Sequence, residues 1–218
     1  MPSFLIAGVG VFVVLDFSYS ESSSTRLPIM DAAVTIHRLT VQDYHRMIES
    51  GILTPEDHIE LLDGLLMQMV AKGTPHRATI SRIGEQLRKL LGDRALICYQ
   101  DPVQLDDYSE PEPDIAILQP DPLFYQEHHP RPVDVFWLIE VADTTLKYDC
   151  KTKAFHYAYS GIPELWVVDL NGRRLHVYRS PSLKGYGSET ILAEDLTIAP
   201  LAFPDCQLLI HDMLPVQG

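Results

Sequence analysis

Apolar residues recur at helical spacing in three stretches of the chain, and each stretch predicts an α-helix. The first begins at Thr40, which can act as an N-cap, and ends at Gly51. In the second, which follows Pro75, the apolar residues are three or four positions apart and most basic residues lie off their stripe. The third covers about residues 152–160 and is stopped by Gly161. The second helix is therefore predicted to be amphipathic, with a basic outer side.

Short apolar runs between turn residues predict β-strands. One pair of runs flanks Asp63-Gly64 and another flanks Asn171-Gly172, and such dipeptides are typical of β-hairpins. Further strands are predicted over 95–99, 103–105, 114–118 and 135–141. Because strands joined by tight hairpins are antiparallel neighbours, the order of elements favours an α/β (α+β) fold with a mixed or mostly antiparallel sheet over a doubly wound one.

The first 33 residues differ from the rest of the chain. An apolar run over 4–15 is followed by a Ser-rich stretch. The run is too short to span a bilayer as a helix, and it lacks the basic flank of a secretory signal. We predict a poorly ordered extension over 1–33, with translation from an upstream start codon and a first native residue at Met30 as an alternative. Residues 34–218 are predicted to form a single domain.

Composition and charge limit the classes of partner. Of the 218 residues, 46% are hydrophobic and 22% charged, as in ordinary globular proteins, and the net charge is −13. The average surface therefore repels phosphate and anionic lipid, so contact with nucleic acid must be local or assisted by metal. The three cysteines form no Cys-x-x-Cys pair, which predicts a cytoplasmic protein without a disulfide framework or zinc knuckle. We expect no membrane partner.

Two carboxylates occupy strand positions where apolar side chains are expected. Glu140 is embedded in an apolar run, and Asp114 opens another directly after a proline. A buried ionised carboxylate needs a compensating partner, and Mg²⁺ prefers carboxylate oxygens and binds phosphate alongside them. These residues predict a metal site at which a metal-activated water attacks phosphorus. Lys153 would stabilise developing charge or help to deprotonate that water, with Tyr157 one turn later on the same face.

Each candidate also has a purely structural interpretation. Asp114 could be a turn or cap residue, and Glu140 could form a structural salt bridge with Lys153. His76, at the start of the second helix, is either a contact to phosphate or to a metal-bound water, or a surface histidine. His128-His129 has no ligand partners at zinc spacing and is predicted to be a solvated loop.

Seven blocks of the sequence, in the same order, resemble the Uma-two family of restriction endonucleases within the PD-(D/E)xK nuclease superfamily. They are 37–44, 60–64, 73–76, 109–114, 137–143, 148–153 and 161–169. The resemblance implies a restriction-endonuclease-like core with flanking helices and hairpins. It also implies that Asp114 is the Asp of the Pro-Asp motif, Glu140 the second acid and Glu60 an additional acidic ligand.

The lysine departs from the superfamily pattern. The superfamily places it two residues after the second acid, where this chain has Ala142. The Uma-two pattern carries a lysine on the following helix, which matches Lys153, with Lys151 as the alternative.

The resemblance implies an endodeoxyribonuclease that uses Mg²⁺, or Mn²⁺ as a substitute, with DNA as substrate. The sequence leaves the oligomeric state open; a homodimer would place two active sites on opposite strands of the duplex. One alternative is a catalytically silent module of the same fold that binds nucleic acid or protein. Another alternative is a structural or interaction protein in which four side chains form a buried ionic cluster, namely Glu60, Asp114, Glu140 and Lys153. The net charge of −13 and the displaced lysine keep the first alternative open.

Overall fold

The computed structural model describes residues 35–216, so the predicted extension over 1–33 lies outside the described residues. Within this part the helices are α1 (Val41–Glu49), α2 (Thr74–Leu91), α3 (Leu146–Tyr148), α4 (Ala154–Tyr159) and α5 (Ile210–Met213). The strands are β1 (Ile59–Leu62), β2 (Leu65–Gln68), β3 (Leu96–Cys98), β4 (Ile115–Leu118), β5 (Val135–Ala142), β6 (Glu164–Asp169), β7 (Arg174–Ser182), β8 (Gly185–Ala193), β9 (Thr197–Ile198) and β10 (Leu208–Leu209). Among the described helices, none combines the length and the apolar composition needed to cross a bilayer.

The main sheet joins six of the described strands in the order β3-β4-β5-β6-β7-β8. Strands β5 and β6 are parallel, and every other neighbouring pair in this sheet is antiparallel. The parallel pair follows from the helical connection through α3 and α4, since parallel strands need a crossover. Two small antiparallel pairs, β1-β2 and β9-β10, lie outside the main sheet. The predicted mixed α/β architecture is confirmed.

The two faces of β5 bury different side chains because strand residues alternate between the faces of a sheet. Trp137, Ile139 and Val141 belong to the apolar cluster that contains the buried stripe of α2. Leu138 and Ala142 belong to a second cluster, which contains the buried residues of α4. The side chain of Glu140 shares this second face.

Local signals explain most of the element boundaries. Thr40 is the N-cap of α1 as predicted, and it forms a capping box with Asp43. Asp63 and Gly64 both adopt positive φ, +52° and +72°, as the two-residue turn between β1 and β2 requires. The second predicted hairpin is also present, but its loop is longer, and the left-handed residue is Arg173 with φ +50°.

The structure differs from the predicted elements in three places. Residues 103–105 form no strand; the Val103 and Leu105 N–H groups donate to carbonyls of the same loop, which satisfies the buried backbone locally. The third helix begins earlier than residue 152, because α3 continues through a π-helical turn, Asp149–Lys153, into α4. Strand β8 was not predicted, since most of its residues are exposed and it lacks an alternating apolar pattern.

Candidate active site

Glu140 and Lys153 are the centre of the candidate site. Glu140 on β5 is 3% exposed, and Lys153 at the end of the π-helical turn is 6% exposed. The Lys153 Nζ lies 3.1 Å from Glu140 Oε1 and 3.2 Å from Glu60 Oε2. Glu60 is on β1, so the ammonium bridges buried carboxylates that come from two different sheets.

Tyr157 holds Glu140 from α4, one helical turn after Lys153. Its hydroxyl donates a 2.7 Å hydrogen bond to Glu140 Oε1. Tyr157 is fully buried, and this burial, together with the neighbouring carboxylates, raises the pKa of its hydroxyl well above the ordinary value. The hydroxyl therefore keeps its proton and acts as a donor.

The pKa shifts show an excess of negative groups around the lysine. Burial raises the pKa of Glu140 to about 8, because desolvation outweighs the attraction of Lys153, and Asp114 and Asp149 add to the rise. Burial alone would lower the pKa of Lys153, but Glu140 and Glu60 raise it well above its ordinary value. Lys153 is therefore charged at neutral pH, and one ammonium faces several carboxyl groups.

Asp114 lies directly before β4 and has four polar partners. The His76 Nε2–H and the Val141 N–H each donate a 2.9 Å hydrogen bond to Oδ2. The Lys72 Nζ lies 3.3 Å from Oδ1, and the Gln100 amide donates to that oxygen at 3.2 Å. Burial acts to raise the pKa of Asp114, but His76 above all, together with Lys72 and the Val141 N–H, lowers it to about 2. Asp114 is therefore ionised at neutral pH.

Glu60 is also fixed by its surroundings. The Glu112 N–H donates a 3.0 Å hydrogen bond to Glu60 Oε2, the oxygen that faces Lys153. The Tyr148 hydroxyl donates to the other oxygen at 3.4 Å. Glu60 is 1% exposed, so a residue of the first hairpin contributes a buried carboxylate to the face of the main sheet.

The predicted site residues lie in two linked groups. Glu60, Glu140, Lys153 and Tyr157 form one network of direct contacts, whereas Asp114 contacts His76. In the part of the chain that the structure describes, Glu60, Asp114 and Glu140 do not each bring a carboxylate oxygen to within 4.8 Å of the other two. Asp114 is nevertheless close enough for its charge to raise the pKa of both Glu140 and Lys153.

The burial of His76 and the exposure of Lys151 bear on two alternatives that the sequence left open. His76 is 6% exposed, so the surface-histidine interpretation is wrong. Because a carboxylate oxygen only accepts, His76 donates through Nε2, and its Nδ1 is buried without a hydrogen-bond partner among the described residues. Lys151 is exposed, whereas Lys153 is buried against the acids. A contact of His76 or Tyr157 with phosphate or water stays a prediction.

Several partners of the site could not be found from the sequence. Lys72 precedes α2, Gln100 follows β3, and Tyr148 and Asp149 precede Lys153. None of them interrupts an apolar run, which was the signal that identified Glu140. Lys72 and Gln100 reach Asp114 through tertiary contact, and no motif spacing connects them to it.

The hydrogen bond from Tyr157 provides a first prediction. Tyr157→Phe should lower the free energy of unfolding by about 1.5–3 kcal/mol, the usual contribution of a hydrogen bond to a charged group. Tyr159→Phe is the matched control, because Tyr159 is on the same helix and 52% exposed; its change should stay within about 0.5 kcal/mol. Urea unfolding of both variants measures the difference, and equal midpoints would contradict the assigned hydrogen bond.

The family model for Uma2, described as a putative restriction endonuclease, matches residues 41–216. The chain belongs to this family, and the family supports a nuclease, a hydrolase that acts on nucleic acid.

A solved structure has a similar fold. It is a putative nuclease belonging to DUF820 from Anabaena variabilis, with a TM-score of 0.63 and 17% sequence identity. The match covers 80% of this chain and 97% of the other. The comparison with curated proteins found no match.

Proposed function

We propose that this protein is a divalent-metal-dependent endonuclease that hydrolyses phosphodiester bonds of DNA. The observation that carries the proposal is the buried carboxylate of Glu140, held by Lys153 and Tyr157 in the middle of an apolar strand of a Uma2 chain. A mid-strand carboxylate with a raised pKa is costly for folding. Such a cost is typical of a functional group.

Glu60, Asp114 and Glu140 would hold the metal ion. The donor types suit Mg²⁺, with Mn²⁺ as a substitute, because all three groups offer carboxylate oxygens. Among the described residues these oxygens do not all lie within 4.8 Å of one another, so they would have to move closer to bind one ion. Burial is the main cause of the raised pKa of Glu140, and the attraction of Lys153 does not offset it. A bound Mg²⁺ would supply Lewis-acid stabilisation of the phosphoryl group and lower the pKa of a water ligand.

Lys153 would stabilise negative charge. The raised pKa of Lys153 keeps the side chain an ammonium, so it is a poor base for a water molecule. A fixed cation beside Glu140 and Glu60 can instead favour the additional negative charge that develops on a phosphate oxygen during attack. The charged state of Lys153 therefore favours stabilisation of developing charge over deprotonation of water, the two roles that the sequence left open.

His76 and Tyr157 are proposed as positioning residues. Each donates one hydrogen bond to a carboxylate, His76 to Asp114 and Tyr157 to Glu140. Such partners fix the orientation of ligand groups, and their loss typically lowers metal affinity or activity by about 10–100-fold.

The function is tested by incubating the purified protein with supercoiled plasmid, single-stranded DNA and RNA in Mg²⁺, Mn²⁺ or EDTA. We expect cleavage of DNA in either metal and none in EDTA. Undiminished cleavage in EDTA would contradict metal dependence, and cleavage of RNA alone would contradict the assigned substrate.

A second candidate is a catalytically silent binding module. The observation that favours it is that Lys153 already forms ion pairs with both Glu60 and Glu140, and the three acids are not gathered around one point among the described residues. For this candidate, thermal unfolding should be unchanged by Mg²⁺. A metal site instead predicts stabilisation by about 2.7 kcal/mol when the free Mg²⁺ concentration is 100 times the dissociation constant.

A further inference from the structure

Three side chains from distant parts of the sequence meet away from the acidic cluster. His45 is on α1, Glu110 is in the segment that bridges to β1, and His129 is in the loop between β4 and β5. His45 Nε2 lies 2.7 Å from Glu110 Oε1, and the rings of His45 and His129 have centroids 5.7 Å apart. One ligand atom from each residue lies within 4.8 Å of the other two.

Glu110 carries a second, independent sign of a bound cation. The residue is 2% exposed, and its Oε2 is buried without a hydrogen-bond partner among the described residues. Buried carboxylate oxygens are normally satisfied, because leaving one unpaired is costly. His45 contacts only the other oxygen, so Oε2 remains without a partner among the described residues.

Backbone hydrogen bonds connect the segments that carry the three residues. The Glu110 N–H donates to the Leu61 carbonyl at 2.8 Å, which anchors Glu110 beside β1. The carbonyl of Pro130, next to His129, accepts a 2.9 Å hydrogen bond from the N–H of Gln104. Val41, the first residue of α1, is joined to the loop that carries Gln104 and Glu110, since its N–H donates to the Asp107 carbonyl at 2.8 Å.

This arrangement corrects the prediction of a solvated histidine loop. His128 is exposed as predicted, but His129 is half-buried and its ring packs edge-on against His45. The spacing of the three residues in the sequence gave no sign of this group, because 65 residues separate His45 from Glu110.

We propose that His45, Glu110 and His129 form a binding site for a transition-metal ion, with Zn²⁺ as the expected occupant. Two imidazoles and one carboxylate are a common set of three protein ligands for zinc, which then has a fourth position open to water. Imidazole nitrogens suit zinc, whereas magnesium prefers oxygen ligands throughout. His45 also lines an open cleft together with Gln104 and Tyr108, which gives an ion access from solvent.

The site is separate from the proposed nuclease centre. In the described part of the chain, neither a hydrogen bond nor an ion pair joins its three residues to Glu60, Asp114, Glu140 or Lys153. An ion held by α1 and the two loops would tie these three segments together. Its presence can therefore be tested without measuring DNA cleavage.

The test is a calorimetric titration of the metal-free protein with ZnCl₂. The wild-type protein should bind one Zn²⁺ at this site. His45→Ala and His129→Ala should each weaken binding by more than about 10-fold, because loss of a residue that only supports a metal ligand already weakens binding by about 10–100-fold. His128→Ala is the matched control, because it removes an adjacent exposed histidine and should leave the affinity unchanged. Asp114→Asn should also retain binding, which separates this site from the acidic cluster.

A spectroscopic measurement gives an independent readout. Co²⁺ in place of Zn²⁺ should produce visible absorption that is reduced in His45→Ala and His129→Ala but retained in His128→Ala and Asp114→Asn. Circular dichroism confirms that each variant is folded. Absence of Zn²⁺ binding by the wild-type protein, or equal affinity in folded His45→Ala and His129→Ala, would overturn the proposal.

Discussion

Glu140→Gln is expected to lower the rate of plasmid cleavage in Mg²⁺ by at least about 100-fold. Loss of a residue that only supports a metal ligand lowers metal affinity or activity by about 10–100-fold, and loss of the ligand itself should cost no less. The amide has the shape of the carboxylate but lacks the negative charge that a divalent cation requires. The folded protein should tolerate the change. Burial raises the pKa of Glu140 to about 8, which means that the folded protein penalises the charged form and gains less from it than an exposed site would.

The measurement is the rate of plasmid cleavage, with thermal unfolding recorded on the same preparations. Glu127→Gln is the matched control, because it makes the same chemical change at an exposed loop residue and should leave both quantities unchanged. Wild-type cleavage rates in folded Glu140→Gln would show that this carboxylate has no part in the reaction.

Lys153→Met is expected to abolish cleavage and to destabilise the protein by about 3–5 kcal/mol, because removal of one partner leaves buried charges uncompensated. Lys153 is the ammonium between Glu60 and Glu140, and it is 6% exposed. Lys151→Met is the matched control two residues away; since Lys151 is exposed, its stability should change by no more than about 0.5 kcal/mol. Urea unfolding and plasmid cleavage of both variants provide the comparison.

A double variant separates the structural from the catalytic role of this lysine. Lys153→Met/Glu140→Gln removes one charge of each sign, so it should recover part of the stability lost in Lys153→Met. Its cleavage should stay as low as that of either single variant. Loss of cleavage in Lys151→Met, with cleavage retained in Lys153→Met, would transfer the proposed role to Lys151.

The sequence predicted those parts of the fold and site that depend on local patterns. The capping box of α1 and the turn at Asp63-Gly64 are local features, and both are present. Glu140 could be identified because a carboxylate in an apolar strand is conspicuous. The assignment of Lys153 came from family resemblance, and the structure places its ammonium beside Glu140.

The remaining features depend on tertiary contacts that have no signature in the sequence. Lys72 is distant in sequence from Asp114, and only the tertiary fold brings the two side chains together. His129 lies in a polar loop, and its contact with His45 depends on how this loop lies against α1 in the folded protein. The π-helical turn that contains Lys153 also follows from packing, since no Pro or Gly marks it.

The most direct test of the proposed function is gel-resolved conversion of supercoiled plasmid in Mg²⁺ by the wild-type protein and by Asp114→Ala/Glu140→Ala, prepared side by side. If the buried acidic cluster is a metal-dependent nuclease site, the wild-type protein nicks the plasmid, EDTA stops the reaction, and the double variant is inactive although folded. Equal nicking by the wild-type protein and the folded double variant would contradict the account.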